Sequence, residues 1–421
     1  MKARDPKFIR SALAAACTAI GVNAQAIPPI EIDTAALFYT ESDRVTALES
    51  RVNARTAIGE GKFFNLQLVY DALSGASPSG ATRTDAVQTL TRPSGIGSYT
   101  IQPGEDPLDD TFKDSRVEAD ASVELPLGRL SRVSVGVTGS NEFDYRSIGA
   151  TATVTRDFSK RNRTLSVGVS ASDDEIDPEG GPPIPFASMQ PAGTAQPRET
   201  GTKSRTTVDV LLGLTQIVSP STLAQINYSL TESDGYHTDP FKLLSVVDGA
   251  AGPNPGATVD YVYERRPDSR TKQSLYGKAK HHLTRDIVDL SYRYLWDDWG
   301  VRSHTVETHY AWQLGPGNYL IPHVRYYHQS AADFYRHSLV QGAATPAFAS
   351  ADPRLGEFDA WTTGVKYTRT LANGHKIGFR GEYYLQIGDS SPPDAIGLQR
   401  GQDLYPSLNA LITQVSYSFT W

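Results

Sequence analysis

Along most of this chain apolar and polar residues alternate one for one. The pattern is sharpest over 411–421, where Val415, Tyr417, Phe419 and Trp421 fall on one face and Gln414, Ser416, Ser418 and Thr420 on the other. Successive side chains leave a strand on opposite faces, so a period of two marks a strand. The same reading predicts a first hairpin of strands 32–40 and 45–57 around Glu41-Ser42-Asp43-Arg44. In its second strand Glu49, Arg51, Asn53 and Arg55 share a face opposite Leu48, Ser50, Val52 and Ala54. Strand 62–72 sets Phe64, Leu66, Leu68 and Tyr70 against Asn65, Gln67 and Asp71. Further strands are predicted at 116–125, 130–141, 145–156, 163–172, 204–218, 223–233, 271–283, 287–298, 301–314, 319–335, 358–371, 375–387 and 408–421, making sixteen in all.

The connections sort by length. Those at 59–61, 126–128, 157–162, 219–221, 284–286, 315–317 and 373–374 are short and share one end. Asn373-Gly374 is a strong hairpin signal, because both residues tolerate positive φ. The long inserts, 73–113, 173–203 and 235–270 among them, all fall at the other end. A soluble sandwich has no reason to sort its loops this way. Outer-membrane barrels do, with short periplasmic turns and long extracellular loops. The expected fold is therefore all-β, a 16-stranded antiparallel transmembrane β-barrel. Strand 408–421 would close it against strand 32–40, leaving no edge in lipid. Tyr417, Phe419 and Trp421 would then face lipid, with Trp421 at the periplasmic interface.

Composition agrees. Hydrophobic residues make up 39% and mean hydropathy is −0.37, which argues against membrane-spanning helices, whereas a barrel needs apolar residues only at alternate positions. The 21 tyrosines suit a membrane interface, with an apolar ring and a polar hydroxyl. Lys2, Arg4, Lys7 and Arg10, the apolar stretch 12–21 and Ala24-Gln25-Ala26 read as a secretory signal peptide over 1–26. The mature part, 27–421, is expected to be a single barrel domain. A lipoprotein reading at Ala14-Ala15-Ala16-Cys17 leaves too short an apolar core. Cleavage after Ala26 removes four basic residues, Asp5 and the sole cysteine, Cys17. Disulfides and thiol chemistry are thereby excluded from the mature chain. Its formal charge, already −7 for the whole sequence, becomes more acidic, which makes nucleic acid an unsuitable partner. The sequence has no G-x-S-x-G, no H-E-x-x-H and no P-loop, so it is read as no enzyme and as needing no cofactor.

A sixteen-strand barrel is wide enough for an aqueous lumen. Few residues separate Ala26 from the first strand, so any constriction is expected from the long loops or a separate protein. On the polar faces, basic residues Arg51, Arg55, Lys278, Lys280, Arg293, Arg325, Lys366 and Arg380 gather on strands that closure brings together. Acidic Asp71, Glu118, Asp120, Glu124 and Asp209 lie on the intervening strands. This distribution predicts a transverse field across the pore. Against it stands ordinary salt bridging, since Asp289, Glu307 and Glu382 sit among the basic residues. Three consecutive strands have small residues on the polar face: Ser134, Gly136 and Thr138; Gly149, Thr151 and Thr153; Ser166, Gly168 and Ser170. They leave room for an infolded loop, 173–203, or form a smooth water-lined wall. Asp106, Asp109, Asp110 and Asp114, like Asp173, Asp174, Glu175 and Asp177, lack the spacing and glycine of a Ca²⁺ loop and are expected to be solvated charge. His309 and His323 are expected to approach each other near the periplasmic end as hydrogen-bonded lumen residues rather than a metal site.

The opening Tyr39-Thr-Glu-Ser-Asp-Arg-Val45, the stretch Asp71-Ala-Leu-Ser-Gly-Ala-Ser-Pro78 and the C-terminal aromatic strand resemble an exported domain-of-unknown-function family of Gram-negative outer-membrane barrels. Its S-G-A-S-P motif corresponds to Ser74, Gly75, Ala76, Ser77 and Pro78. The resemblance implies a cell outer-membrane location, contact with lipid and lipopolysaccharide, and recognition of the Val415, Tyr417, Phe419 and Trp421 strand by the barrel assembly machinery. Genes of that family lie near a flavin transferase, a thioredoxin-like protein and a small lipoprotein, which implies a link to periplasmic redox traffic. Two functions are expected from these readings. One is a porin-like channel for small hydrophilic solutes. The other is a non-conducting scaffold or sleeve for a periplasmic or lipoprotein partner, in redox or flavin-linked export.

Overall fold

The computed structural model describes residues 28–42, 44–75, 78–92, 97–109 and 112–421. The expected signal peptide, Asp43, Asp110 and two residues of the S-G-A-S-P stretch, Ala76 and Ser77, lie outside them. Sixteen antiparallel strands, from Ile30–Glu41 to Leu408–Thr420, follow one another in sequence order around a closed barrel. The seam is complete: Glu31 to Glu41 pair residue by residue with Thr420 to Ala410, and Ile30 and Trp421 exchange backbone hydrogen bonds of 2.9 and 2.8 Å. Helix among the described residues is limited to three short 3₁₀ turns.

The pairing register assigns each strand its two sides, because partners across an antiparallel ladder point the same way. One side carries Leu48, Val52, Val117, Val137, Ile148, Leu212, Ile226, Leu290 and Val415, all exposed. The other carries Val69, Ser291, Ser303, His323, Glu382 and Ala410, all buried. A closed sheet crowds side chains on its concave side and spreads them on its convex side. The apolar face is therefore the outside of the barrel and the polar face the inside. Valine, isoleucine and tyrosine on the outer face also suit the extended backbone. Aromatics gather on that face at two levels. Phe38, Tyr70, Tyr294, Trp296, Tyr326 and Trp361 lie toward the long-loop end, and Tyr310, Trp312, Tyr367, Tyr417, Phe419 and Trp421 toward the short-turn end.

The hairpin at 371–375 is tightened by Gly374, whose φ is +84°, while Asn373 keeps a negative φ. Leu371 accepts from Gly374 N at 2.9 Å and donates to His375 O at 2.7 Å, a turn that needs positive φ at one residue rather than two. The largest difference in strand length concerns 319–335, where the observed strand is Asn318–Gln329. Beyond Gln329 the alternation continues, but Ala332 and Phe334 turn away from the wall to pack with Trp299, Val301 and Leu355.

The buried apolar clusters of this protein lie outside the barrel wall. Its long loops contain five short strands, Gln88–Thr91, Ser98–Ile101, Leu243–Val247, Thr258–Tyr263 and Ser338–Val340. Leu243–Val247 pairs with Thr258–Tyr263 and, in parallel, with Ser338–Val340. Leu244, Val262, Ala349 and Ala351 form a core beneath this small sheet. The loop 236–268 is the hub. It meets loop 75–112 through Leu243 N to Ser79 O (2.7 Å) and Thr82 N to Ser245 Oγ (2.9 Å). It meets loop 177–202 through Met189 N to Tyr261 O (2.8 Å), and loop 389–407 through Leu398 N to Pro255 O (2.9 Å). Loops 75–112 and 389–407 are each rooted six strands from the hub, in opposite directions around a ring of sixteen. On such a ring that separation approaches a full diameter. The loops therefore meet across the mouth and form a cap.

Candidate functional site

The lumen begins with its charges. The register puts Arg51, Arg55, Lys278, Lys280, Arg293, Arg325, Lys366 and Arg380 on the inner face, with Asp71, Glu118, Asp120, Glu124 and Asp209. Many of them are ion-paired. Arg51 lies 3.4 Å from Glu49, Arg55 4.0 Å from Glu124, Lys278 3.3 Å from Asp289 and Arg380 3.8 Å from Glu382. Arg116 holds both Asp71 (2.7 Å) and Glu118 (3.3 Å). Asp120 accepts from Gln67 at 3.1 Å, and Asp209 from Ser170 at 3.0 Å and from Thr231. Lys280, Arg293, Arg325 and Lys366 have no carboxylate within 4 Å among the described residues. Two of these lie over rings, Arg293 over Tyr276 and Arg325 over Tyr327. Ion pairing thus cancels part of the expected field and leaves one wall with unneutralised cations.

The small-residue wall packs against itself. A Cβ on Gly149 would lie 2.8 Å from Thr138 Cγ2, and one on Gly136 3.0 Å from Thr151 Oγ1. Loop 177–202 does not reach it through any hydrogen bond among the described residues; it joins Thr258–Tyr263 in the cap, with Phe186 N donating to Tyr263 O at 3.0 Å. Nor are the acidic loop clusters simply solvated. Asp106 is shared by Arg44 (2.7 Å) and Arg83, and Asp174, 3% exposed, takes Arg205 at 2.8 Å.

The cap is latched by an ionic clasp of three cations and three carboxylates, buried at Lys242, Glu264, Arg266 and Asp352 and open to solvent at Arg354. Glu264 and Asp352 have no exposure and Lys242 has 3%. Arg266 donates to Glu264 at 2.6 Å and to Asp352 at 2.8 Å, while Arg354 holds Asp352 at 2.8 Å and also reaches Asp239. Ser350 donates to Glu264, and Lys242 Nζ to Pro78 O at 2.7 Å. Burial opposes ionisation of Asp352, but Lys242, Arg354 and Arg266 outweigh it and hold the carboxyl far below the usual range. Burial raises Glu264 against the pull of Arg266, and lowers Lys242 against Asp352 and Asp239. The clasp joins loops 75–112, 236–268 and 330–357.

A second loop-end feature is the turn 141–145, where Glu142 N donates to Tyr145 O at 2.7 Å. Burial, then Asp114, pushes Glu142 up to about 7, and the same two causes push Asp144 up to about 6. Both folded values lie above the ordinary carboxylate range, so the folded turn binds more protons than the unfolded chain. Its stability is full below about pH 4 and is lost as pH rises through 6 and 7. Hydrogen-exchange protection of this turn, corrected for intrinsic rate, is expected to fall between pH 5 and 8. Glu142→Gln with Asp144→Asn should flatten that dependence; an unchanged slope would refute the assignment.

Midway along the wall, one ladder row crosses five strands: Asp289, His309, His323, Gly364 and Glu382 are successive register partners. The imidazoles of His309 and His323 stack at 4.2 Å with planes 3° apart. Both residues are mid-strand, not near the short-turn end as expected from sequence, because the strands Arg302–Gly315 and Asn318–Gln329 extend about equally to either side. His323 Nδ1 lies 3.0 Å from Glu382 Oε1, and His309 Nδ1 3.4 Å from Asp289 Oδ1. Glu307, one residue pair above, approaches both rings. Sequence reading paired His309 with His323; the register adds Asp289, Gly364 and Glu382 to their row.

Comparison with known proteins adds the following. Residues 10–419 match a family model described as "Protein of unknown function (DUF3570)". A search of curated proteins found no match. Among solved structures, a bacterial polysaccharide outer membrane secretin is similar at 8% identity and TM-score 0.47, over 94% of this chain and 100% of that one. OpdK from Pseudomonas aeruginosa is similar at 9% identity and TM-score 0.39, over 93% and 98%. The siderophore receptor PirA from Acinetobacter baumannii is similar at 10% identity and TM-score 0.42, over 86% of this chain, which spans about half (54%) of the receptor.

Proposed function

This chain belongs to the DUF3570 family, and we propose that it is an integral outer-membrane barrel acting as a capped, low-conductance pore for small hydrophilic solutes. The observation that carries this reading is the opposition of the two faces on a ring of sixteen strands. An exposed apolar outer band between two aromatic levels matches the demands of lipid and its interfaces. Its strands, 11 to 17 residues long, meet or exceed the nine to eleven or so that a tilted strand needs to cross a bilayer. A polar inner face at this strand number leaves space for water. Export by an N-terminal signal peptide and insertion by the barrel assembly machinery belong to the same reading.

The cap qualifies the pore. Loops knitted across one mouth restrict passage, so bare sixteen-strand conductance is not expected. The cap also supports a second reading, a sleeve that does not conduct and holds a periplasmic or lipoprotein partner. Planar-bilayer recording separates the two. The purified protein is expected to give small, infrequent steps. The unpaired cations Lys280, Arg293, Arg325 and Lys366 should make those steps anion-preferring, and Arg325→Glu with Lys366→Glu should move the reversal potential toward cations. An unmoved potential would remove the field. Complete silence from an intact barrel, in wild type and in a cap-opened variant alike, would favour the sleeve.

A further inference from the structure

The geometry points to a binding site for a divalent transition-metal ion on the lumen wall, formed by Glu307, His309 and His323. This goes beyond the pore reading and does not depend on whether the lumen conducts. Three observations carry it.

The first is the convergence of donor atoms. Glu307 Oε1 lies 3.2 Å from His323 Nε2 and 3.6 Å from His309 Nε2, and all three donor atoms fall within 4.8 Å of one another. Ligands bonded to zinc at about 2.0–2.2 Å and about 90–109° apart are separated by about 3.0–3.5 Å, so these spacings are those of a coordination edge. Closing the remaining gap between the imidazoles takes a χ2 rotation of His309, a broad and soft torsion. Two imidazoles and one carboxylate form a donor set suited to zinc, nickel, copper or iron. Glu307 and His309 are only partly buried, at 33% and 35% side-chain exposure, so a further coordination position opens to the lumen.

The second is an orphaned atom. His323 is 9% exposed, and its Nε2 has no hydrogen-bond partner. Glu307 Oε1 is 3.2 Å away but makes no hydrogen bond to it, since a carboxylate oxygen has no proton to offer a lone pair. A buried ring nitrogen without a partner is costly. A metal placed between Nε2 and Oε1 would satisfy both. Arg325 is the register partner of Glu307, yet no lysine or arginine lies within 4 Å of that carboxylate among the described residues, so its charge is left to the imidazoles.

The third is the outer layer. Glu382 hydrogen-bonds the Nδ1 of His323 at 3.0 Å, which holds its Nε2 as the lone-pair nitrogen, as outer partners of metal-bound histidines commonly do, and Asp289 lies 3.4 Å from the Nδ1 of His309. Glu382 reaches His323 only because Gly364 lies between them in the row. A Cβ there would come within 2.5 Å of Glu382 Cγ. Lys278 and Arg380 in turn anchor Asp289 and Glu382.

Tag-free barrel in detergent, stripped with chelator, is titrated with Zn²⁺ by calorimetry, with folding verified by heat modifiability. One equivalent is expected to bind. Glu307→Gln and His323→Ala should abolish that step. Glu382→Gln should weaken it by about 10–100-fold, the usual effect of removing an outer partner. His304→Ala, on the outer face, should leave it unchanged. If folded Glu307→Gln binds Zn²⁺ as wild type does, or if wild type takes up none, the site does not exist.

Discussion

Replacing Asp352 with alanine is expected to unlatch the cap while leaving the barrel wall intact. Asp352 is wholly buried and takes bonds from both Arg266 and Arg354. Its removal leaves the clasp with three cations against two carboxylates, and the buried Arg266 with Glu264 as its remaining carboxylate. Breaking a buried pair from one side typically costs about 3–5 kcal/mol; Arg266 keeps Glu264 and Arg354 is open to water, so the cost is expected at the lower end of that range. A small loop domain has no comparable reserve, whereas the barrel ladders are untouched. Loop 236–268 should therefore gain protease sensitivity and lose exchange protection, heat modifiability of the barrel should persist, and bilayer steps should grow. Asp352→Asn, which keeps acceptors but not charge, should fall between. If Asp352→Ala resists protease as wild type does, the clasp is not what holds the cap. If the cap loosens but steps stay small, the constriction lies inside the lumen.

The wall was legible in the sequence because alternation reports it residue by residue. Val415, Tyr417 and Phe419 lie outside and Gln414 and Ser416 inside, as their spacing implies. Loop sorting was legible too, since every second connection is short and all the long ones fall among the others. The cap was not. Leu243–Val247 is a run of five residues, four of them buried, but inside a loop rich in glycine and proline it is indistinguishable from a loop's ordinary apolar content. Of its partners, Thr258–Tyr263 lies in the same loop and Ser338–Val340 comes from a different one, some ninety residues on. Ala332 and Phe334 mislead for a related reason: alternation marks one apolar side but does not say whether lipid or a cap core receives it. Glu264 and Asp352 are 88 residues apart, and neither looks like half of a clasp until Arg266 bridges them. The same holds for the histidine row. The approach of His309 and His323 was visible, but the one-residue precision that aligns them with Asp289 and Glu382 depends on three hairpin turns and the long loop 330–357, whose geometry sequence spacing leaves open.

The seam between Ile30–Glu41 and Leu408–Thr420 should be the least forgiving place in the wall. Each backbone group there that loses its partner would face lipid, where no water replaces it, at several kcal/mol per group. Trp421 N bonds to Ile30 O, and hydrogen bonding in an antiparallel ladder repeats every second residue. The amides of Phe419, Tyr417 and Val415 therefore also point toward the first strand, and Thr34 Oγ1 adds a bond to Tyr417 O at 3.0 Å. Tyr417→Pro removes one of these amides from the middle of the seam and is expected to abolish the heat-modifiable barrel. Tyr417→Phe keeps the amide and should assemble normally, apart from losing the bond between the hydroxyl and His375. Deleting Trp421 removes only the last pair, at the rim. It should lower the yield of assembled barrel without altering the conductance of what does assemble. A Tyr417→Pro protein that still migrates as a compact barrel would mean that closure does not rest on this ladder. Normal yield after deletion of Trp421 would mean that the terminal aromatic contributes no more than any other rim residue.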